Sequence, residues 1–227
     1  MKAIIKYYFR YLIKSYIYIV PAIFLIVFLA VSYAFSLDSI LSGYGESSIA
    51  IYIIAVWITF TFNEIEDTTQ KQLVMLSVNK EIKYYSGRIV FLSLLVSAFS
   101  FISIIYPIIF GSFSKPIIFT DVIKGMLIQG IVSLIGIGFA NFFESNKIKD
   151  RKIAIILVFI ILILSCLQGV IIRDYPIIKY IILALPPAYY LIDCLDKSII
   201  VPAVCGLAYS LVLFAIYLRL SISKKFL

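Results

Sequence analysis

The chain has 227 residues, of which 63% are hydrophobic and only 14% are charged, and its formal net charge is +8. A soluble domain is nearer half apolar and a quarter charged, so this composition excludes a water-soluble globular fold. The basic residues separate apolar runs instead of forming one cluster, which argues against nucleic-acid binding, and the lack of histidine excludes His-based metal sites and Ser-His or Cys-His hydrolytic pairs.

The first 15 residues predict an amphipathic helix that lies flat on the inner leaflet of a membrane. A basic stripe recurs at steps of four, formed by Lys2, Lys6, Arg10 and Lys14. An apolar face beside it contains Ile4, Ile5, Tyr8, Tyr11 and Leu12. The alternative is a signal peptide with a cleavage site near Ser32 and Ala34, but the next apolar run is too long for one and five more follow it.

Six apolar runs are candidates for membrane-spanning helices, since a span needs about 20 mostly apolar residues. They are Tyr16 to Phe35, Ser48 to Phe62, Arg88 to Phe110, Val122 to Phe143, Ile153 to Ile172 and Ile199 to Leu218. The second run is short. Its helix either starts near Ile40 or follows a turn at residues 43–45, where two glycines flank a tyrosine.

The polar segment 63–87 joins the second and third spans. Thr69 and Gln72 have the spacing of a capping box, which predicts a short helix from about Thr69 to about Ser77 with Leu73, Val74 and Leu76 available for burial. A solvated loop and a docking element for another protein fit these residues equally well.

Few polar side chains lie inside the spans. Gln129 and Gln168 are candidates to line a translocation path, but a buried amide also commonly bonds a neighbouring helix. Small residues of the third span, including Ser97 and Ser100, permit close helix packing or line a path.

The segment 173–198, before the last span, contains the pair Pro186 and Pro187. Proline removes a backbone donor and disfavours helix in the residue before it, which predicts an interrupted helix near the membrane surface, with Tyr189 and Tyr190 in the headgroup belt. An ordinary loop with aromatic anchors explains these residues equally well.

The orientation follows from the basic residues that flank the spans. With the N-terminus inside, 15 Lys and Arg residues lie on the cytoplasmic side and five lie outside. The positive-inside rule therefore predicts a multi-pass protein of the cell membrane whose N- and C-termini both lie in the cytoplasm.

The segment from Glu64 to Leu76, followed by Lys80 and by Gly87 and Arg88 at the start of the next span, resembles the loop of ABC-2 type exporter permeases. The resemblance extends to the amphipathic N-terminal helix, the six spans and the segment 173–198. It implies an all-α integral membrane fold of the type V exporter class, a coupling helix that contacts a partner ABC ATPase, and an extracellular gate or re-entrant segment at Pro186, Pro187, Tyr189 and Tyr190. The implied coupling residues are Glu64, Glu66, Asp67, Thr68, Thr69, Gln72, Leu73, Leu76, Asn79 and Lys80.

The resemblance also implies a function. It is that of one transmembrane subunit, paired with a second permease copy as a homo- or heterodimer, while ATP and Mg²⁺ are bound by the partner ATPase. The chain has no GxxxxGK[ST] motif and is expected to be no enzyme and to bind no cofactor or metal itself. Small Ile- and Tyr-rich bacterial permeases of this kind export amphipathic peptides, such as phenol-soluble modulins, or give immunity to them. The alternatives are a non-transporting assembly, sensor or immunity subunit and, much less favoured, a membrane enzyme.

Overall fold

The computed structural model describes residues 2–34, 39–66, 68–78, 81–144, 150–175, 177, 185–195 and 199–223. These residues build an all-α fold. Its α-helices in chain order are α1 (Lys2–Ser15), α2 (Ile19–Ser32), α3 (Ile40–Ile65), α4 (Thr68–Val78), α5 (Glu81–Ile109), α6 (Phe119–Ala140), α7 (Arg151–Cys166), α8 (Gln168–Asp174), α9 (Ala188–Asp193) and α10 (Ile200–Ser223). A 3₁₀ turn, Asn141–Phe143, extends α6.

Within the part of the chain that the structure describes, five helical segments are long and apolar enough to cross a membrane. They are Ile40–Ile65, Glu81–Ile109, Phe119–Phe143, Arg151–Asp174 and Ile200–Ile222. A sixth span is counted only if α1 and α2 form one bent unit, because α2 has just 14 residues where about 20 are needed. The chain is therefore a multi-pass membrane protein, with five or six candidate spans among the residues described. The end of the predicted first span at Phe35 lies outside them.

The N-terminal helix α1 is amphipathic as predicted. Ile4, Tyr8 and Leu12 recur at helical spacing and are buried, while Lys6 and the other described basic residues of this helix are exposed. The buried face packs on α5 at Gly87, where an added Cβ would lie 2.9 Å from the Ile4 side chain. A break at residues 16–18 then turns the chain by 77° into α2.

Of the two starts considered for the second span, the one near Ile40 is confirmed and the turn at residues 43–45 is wrong. The helix α3 starts at Ile40, after an N-cap at Ser39 whose hydroxyl accepts a hydrogen bond from the Ser42 N–H. Both glycines lie inside the helix and are buried, and the continuous helix provides hydrogen-bond partners for their backbone groups. Gly45 also gives α9 room: an added Cβ would lie 3.3 Å from the Ile192 side chain.

The centre of the bundle is the contact between α3 and α6. Gly136 lets the two helices approach closely, because a Cβ there would lie 3.0 Å from the Cβ of Ala55 and 3.3 Å from the Tyr52 carbonyl oxygen. By contrast, only 22% and 17% of the most apolar stretches of Arg151–Asp174 and α10 are buried. Those two segments therefore present broad apolar faces to lipid or to another subunit.

The helix termini define two ends of the bundle. One end, here called the α4 end, contains α1, α4, the last turn of α3, the start of α5 and the residues that follow α6. Two hydrogen bonds join these segments: Tyr11 Oη donates to the Ile65 carbonyl oxygen, and Asn63 Nδ2 donates to Asn141 Oδ1. At the opposite end, α9 packs between the starts of α3 and α10, against Gly45 and Gly206.

Candidate functional site

The predicted coupling segment 63–87 is almost entirely helical. Its first residues complete α3, its middle forms α4, and its end begins α5. The short helix predicted between about Thr69 and Ser77 is confirmed as α4, Thr68–Val78. However, Thr69 lies inside the first turn of the helix, so its assignment as the N-terminal cap is wrong.

The two faces of α4 have different surroundings. Leu73 and Leu76 are 63% and 77% exposed, and Thr69 and Gln72 are exposed with them. On the other face, Lys71 and Met75 are spaced one helical turn apart and are 4% and 7% exposed. α4 therefore packs against the bundle through the face with Lys71 and Met75, and the face with Leu73 and Leu76 stays exposed. Three predicted coupling residues, Asp67, Asn79 and Lys80, lie outside the described residues, as does the side chain of Thr68.

A buried ionic cluster joins α4 to the spans. Lys71 Nζ and Arg88 Nη1 both donate to Glu144 Oε1, and the Arg88 contact measures 3.0 Å. Tyr217 Oη donates to the other oxygen, Glu144 Oε2, at 3.4 Å. These four residues, called the Glu144 cluster below, come from α4, α5, the residue after the 3₁₀ turn, and α10.

Burial makes the Glu144 cluster energetically sensitive. Lys71, Arg88 and Glu144 are 4%, 1% and 2% exposed, so each charge has lost its water and depends on the others. Loss of water lowers the pKa of Lys71, an effect that the adjacent Glu144 carboxylate opposes. The Arg88 guanidinium lies 5.9 Å from the centre of the Phe62 ring, and within the described residues its Nε and Nη2 find no acceptor.

The acidic residues at the end of α3 bond within the chain. Glu66 accepts hydrogen bonds from the hydroxyls of Tyr84 and Tyr7, the latter at 3.2 Å, and thereby ties α3 to α5 and α1. Glu64 pairs with Arg151 at 3.8 Å, and its side chain is only 12% exposed. Both carboxylates were predicted to be coupling residues, and both are placed between helices of this chain.

At the opposite end, the proline pair is held by hydrogen bonds to its backbone. Ser165 Oγ donates to the Pro186 carbonyl oxygen at 2.6 Å, and Gln168 Nε2 donates to the Leu185 carbonyl oxygen at 3.3 Å. Pro187 directly precedes the short helix α9. The predicted interruption of a helix at this pair also involves residues 178–184, which lie outside the described residues. Residues 176, 178–184 and 196–198 of the predicted segment 173–198 lie outside the described residues.

Tyr189 and Tyr190 are partly buried at this end of the bundle. Their rings contact each other edge to face at 6.0 Å. The Tyr189 ring also lies directly on Gly169, because a Cβ at that position would fall 2.0 Å from a ring carbon. α9 therefore packs on α8 through the contact between Tyr189 and Gly169.

Gln129 forms a buried polar network between three spans. Its side-chain oxygen accepts from Ser100 Oγ at 2.8 Å, and its nitrogen donates to Ser47 Oγ at 3.0 Å and Ser103 Oγ at 3.2 Å. This is the helix-bonding arrangement that a buried amide commonly adopts. Ser97, another predicted path residue, is exposed and donates to the Ser93 carbonyl oxygen of its own helix.

Sequence reasoning missed Glu144 and Lys71 as site residues. One signal was available, because Glu144 directly follows a long apolar run and an acidic group at that position needs a partner. Within the described ranges, no group of three Cys, Asp or Glu side chains is placed to hold a metal ion.

Comparisons with known proteins identify no relative: the chain matches no family model, no curated protein and no solved structure. A function for this chain therefore rests on its own residues.

Proposed function

We propose that the chain is the transmembrane permease subunit of an ATP-driven exporter of the ABC-2 type, which moves amphipathic or hydrophobic peptides out of a bacterial cell. In this proposal the α4 end faces the cytoplasm, as the distribution of basic residues predicts. A partner ABC ATPase binds ATP and Mg²⁺, and a second permease copy completes the translocation path.

The observation that carries the proposal is the two-sided placement of α4. Its outer face offers Leu73 and Leu76 to a partner, and its inner face is joined by Lys71 to the Glu144 cluster. A leucine that becomes buried in an interface contributes roughly 1.5–3 kcal/mol, so two such residues on a short helix suit a docking contact. A helix that served only as a solvated connection would have no need of this exposed apolar pair.

The Glu144 cluster supplies a route by which a push on α4 would reach the spans. Lys71 moves with α4, and Glu144 meets Lys71, Arg88 and Tyr217 at once. Displacement of Lys71 would change the position of Glu144 and with it the packing of α5, α6 and α10. Rigid-body movement of packed helices is an established way to switch a membrane protein between two states.

The test is purification of the tagged chain in mild detergent from its native membrane, with identification of stoichiometric partners and measurement of Mg²⁺-dependent ATP hydrolysis. We expect an ATPase subunit to co-purify. Leu76→Ser should weaken its binding by roughly 1.5–3 kcal/mol, which is about ten- to hundredfold in Kd.

Phe9→Ser is the matched control, because Phe9 is 56% exposed at the same end of the bundle but on α1. It should leave ATPase binding unchanged. A chain that purifies without any nucleotide-hydrolysing partner would contradict the proposal and favour a non-transporting assembly, sensor or immunity subunit. Equal binding by wild type and Leu76→Ser would remove α4 as the docking element.

A further inference from the structure

An apolar groove of about 230 Å³ lies between α3 and α7. It is larger than the roughly 150 Å³ engineered cavity known to bind benzene in a soluble protein. Along α3 it runs from Ile53 to Thr61, nine residues whose rise along the helix is about 12 Å. Its walls include Val56, Trp57, Phe60, Ile155, Val158 and Phe159.

The groove suits an apolar chain and not water. Among its lining side chains only Thr61, with a hydroxyl, and Trp57, with an indole N–H, carry a polar group, so the groove offers few hydrogen bonds to water. It opens to the surroundings of the bundle, since Trp57 is 39% and Phe159 is 58% exposed. Both helices are membrane-spanning candidates, so the groove opens at the depth of lipid acyl chains.

Cationic side chains stand at the α4 end of the groove. Less than one turn beyond Thr61, Glu64 meets Arg151, and Arg151 and Lys152 form the first turn of α7. The Arg151 side chain is 65% exposed although it pairs with Glu64, and Lys152 is exposed. The remaining acid, Asp150, accepts a hydrogen bond from the Lys152 backbone N–H as the helix cap. Both carboxylates thus have partners, while the cationic groups keep exposed surface at headgroup depth.

We propose that this groove binds one anionic phospholipid, with an acyl chain between α3 and α7 and the headgroup phosphate on Arg151 and Lys152. A basic side chain near the membrane surface favours an anionic lipid by about fivefold in relative affinity. Charge therefore selects the headgroup, and the apolar walls hold the chain. The site does not depend on the transport function proposed above.

Trp57 provides the test, because it is the chain's single tryptophan and lines the groove. The full chain is reconstituted in bilayers that contain a low, equal mole fraction of phosphatidylglycerol or phosphatidylcholine with brominated acyl chains, which quench tryptophan fluorescence on contact. We expect brominated phosphatidylglycerol to show an apparent affinity at least about fivefold higher. Arg151→Gln combined with Lys152→Gln should abolish the difference.

Three further variants separate this site from general effects of charge. Glu64→Gln breaks the ion pair but keeps both cations, so the lipid preference should persist. Lys6→Gln combined with Arg10→Gln removes exposed charge from α1, and the preference should persist there too. Ile155→Phe fills the groove and should reduce quenching by the anionic lipid to that by phosphatidylcholine.

Several results would overturn the proposal. Equal quenching by the two lipids would mean ordinary contact with the surrounding bilayer. A preference that survives Arg151→Gln with Lys152→Gln would place the anion elsewhere. Protection of Trp57 from both lipids would mean that a peptide or a segment of a second copy fills the groove.

Discussion

Glu144 bonds two cations and a tyrosine from three different helices, so its carboxylate sets how those helices meet. Removal of a base and removal of the acid have different consequences for the charges that remain. Arg88 keeps a carboxylate if Lys71 is removed, whereas both cations lose their buried partner if Glu144 is neutralised. The stability of the α4 end therefore depends more on this one acid than on either base.

The residue-scale prediction compares Glu144→Gln with Lys71→Met. Glu144→Gln leaves two buried positive charges uncompensated and should reduce the free energy of unfolding by about 3–5 kcal/mol. Lys71→Met leaves the Glu144 contact with Arg88 and should have a smaller effect. Thermal denaturation in detergent measures both, with the exposed Lys83→Met as control. A Glu144→Gln protein as stable as Lys71→Met would contradict this role of the cluster.

Glu66 has contacts within the chain that its sequence neighbourhood did not indicate. Its contact with a partner ATPase stays a prediction, while in the structure it accepts hydrogen bonds from Tyr84 and Tyr7 and so joins three helices of its own chain. Leu76 is the better probe of a partner because it is exposed and its replacement breaks no hydrogen bond or ion pair that the structure gives to its side chain.

At the scale of elements, the short helices α1 and α9 pack against other helices at glycines. α1 packs at Gly87, α9 packs at Gly45 and Gly206, and the Tyr189 ring of α9 contacts Gly169. In lipid, where apolar surface gives no drive for helices to associate, such close approach supplies the packing energy. These glycine contacts therefore determine where α1 and α9 pack.

The element-scale prediction concerns Gly169→Ala. Its Cβ would fall 2.0 Å from a Tyr189 ring carbon, so the ring and α9 must shift, at a cost of about 1–3 kcal/mol in unfolding free energy. Gly130→Ala is the matched control, since no atom other than those of its chain neighbours and of its own helix backbone lies within 4 Å of its added Cβ. It should be neutral or stabilising by about 0.5–1 kcal/mol. Equal melting temperatures for the two variants would show that Tyr189 does not hold α9 on α8.

At the scale of the whole molecule, one end of the bundle concentrates charge. The Glu144 cluster, Glu64 with Arg151, and Glu66 all lie at the α4 end. The connection between α5 and α6 lies at the other end and carries Ser114, which is exposed. The two ends can therefore be distinguished by labelling from one side of the membrane.

The whole-molecule prediction tests the orientation in a background with the three native cysteines replaced. Ser114→Cys should react with a membrane-impermeant maleimide in intact cells. Ser77→Cys, on the exposed part of α4, should react only after the membrane is permeabilised. Both substitutions are nearly isosteric, so folding is preserved. The reverse labelling pattern would invert the orientation and place α4 outside the cell.

The sequence by itself determined the all-α membrane class, most of the spans, the amphipathic α1 and the helix within the segment 63–87. Each of these depends on apolar length or on a spacing of three or four residues, which is local information. Local information also left the start of the second span open between Ile40 and a turn at Gly43 and Gly45, because glycine favours turns in water, whereas lipid favours the continuous helix that α3 forms.

Only the tertiary structure decided which side chains meet. Glu144 is 73 residues from Lys71 and from Tyr217, and Gln129 is 82 residues from Ser47. Such pairs depend on the depth and rotation of each helix relative to the others, which no local pattern encodes. The exposed leucines of α4 and the groove beside Trp57 emerge for the same reason, because exposure is defined only after the helices have packed.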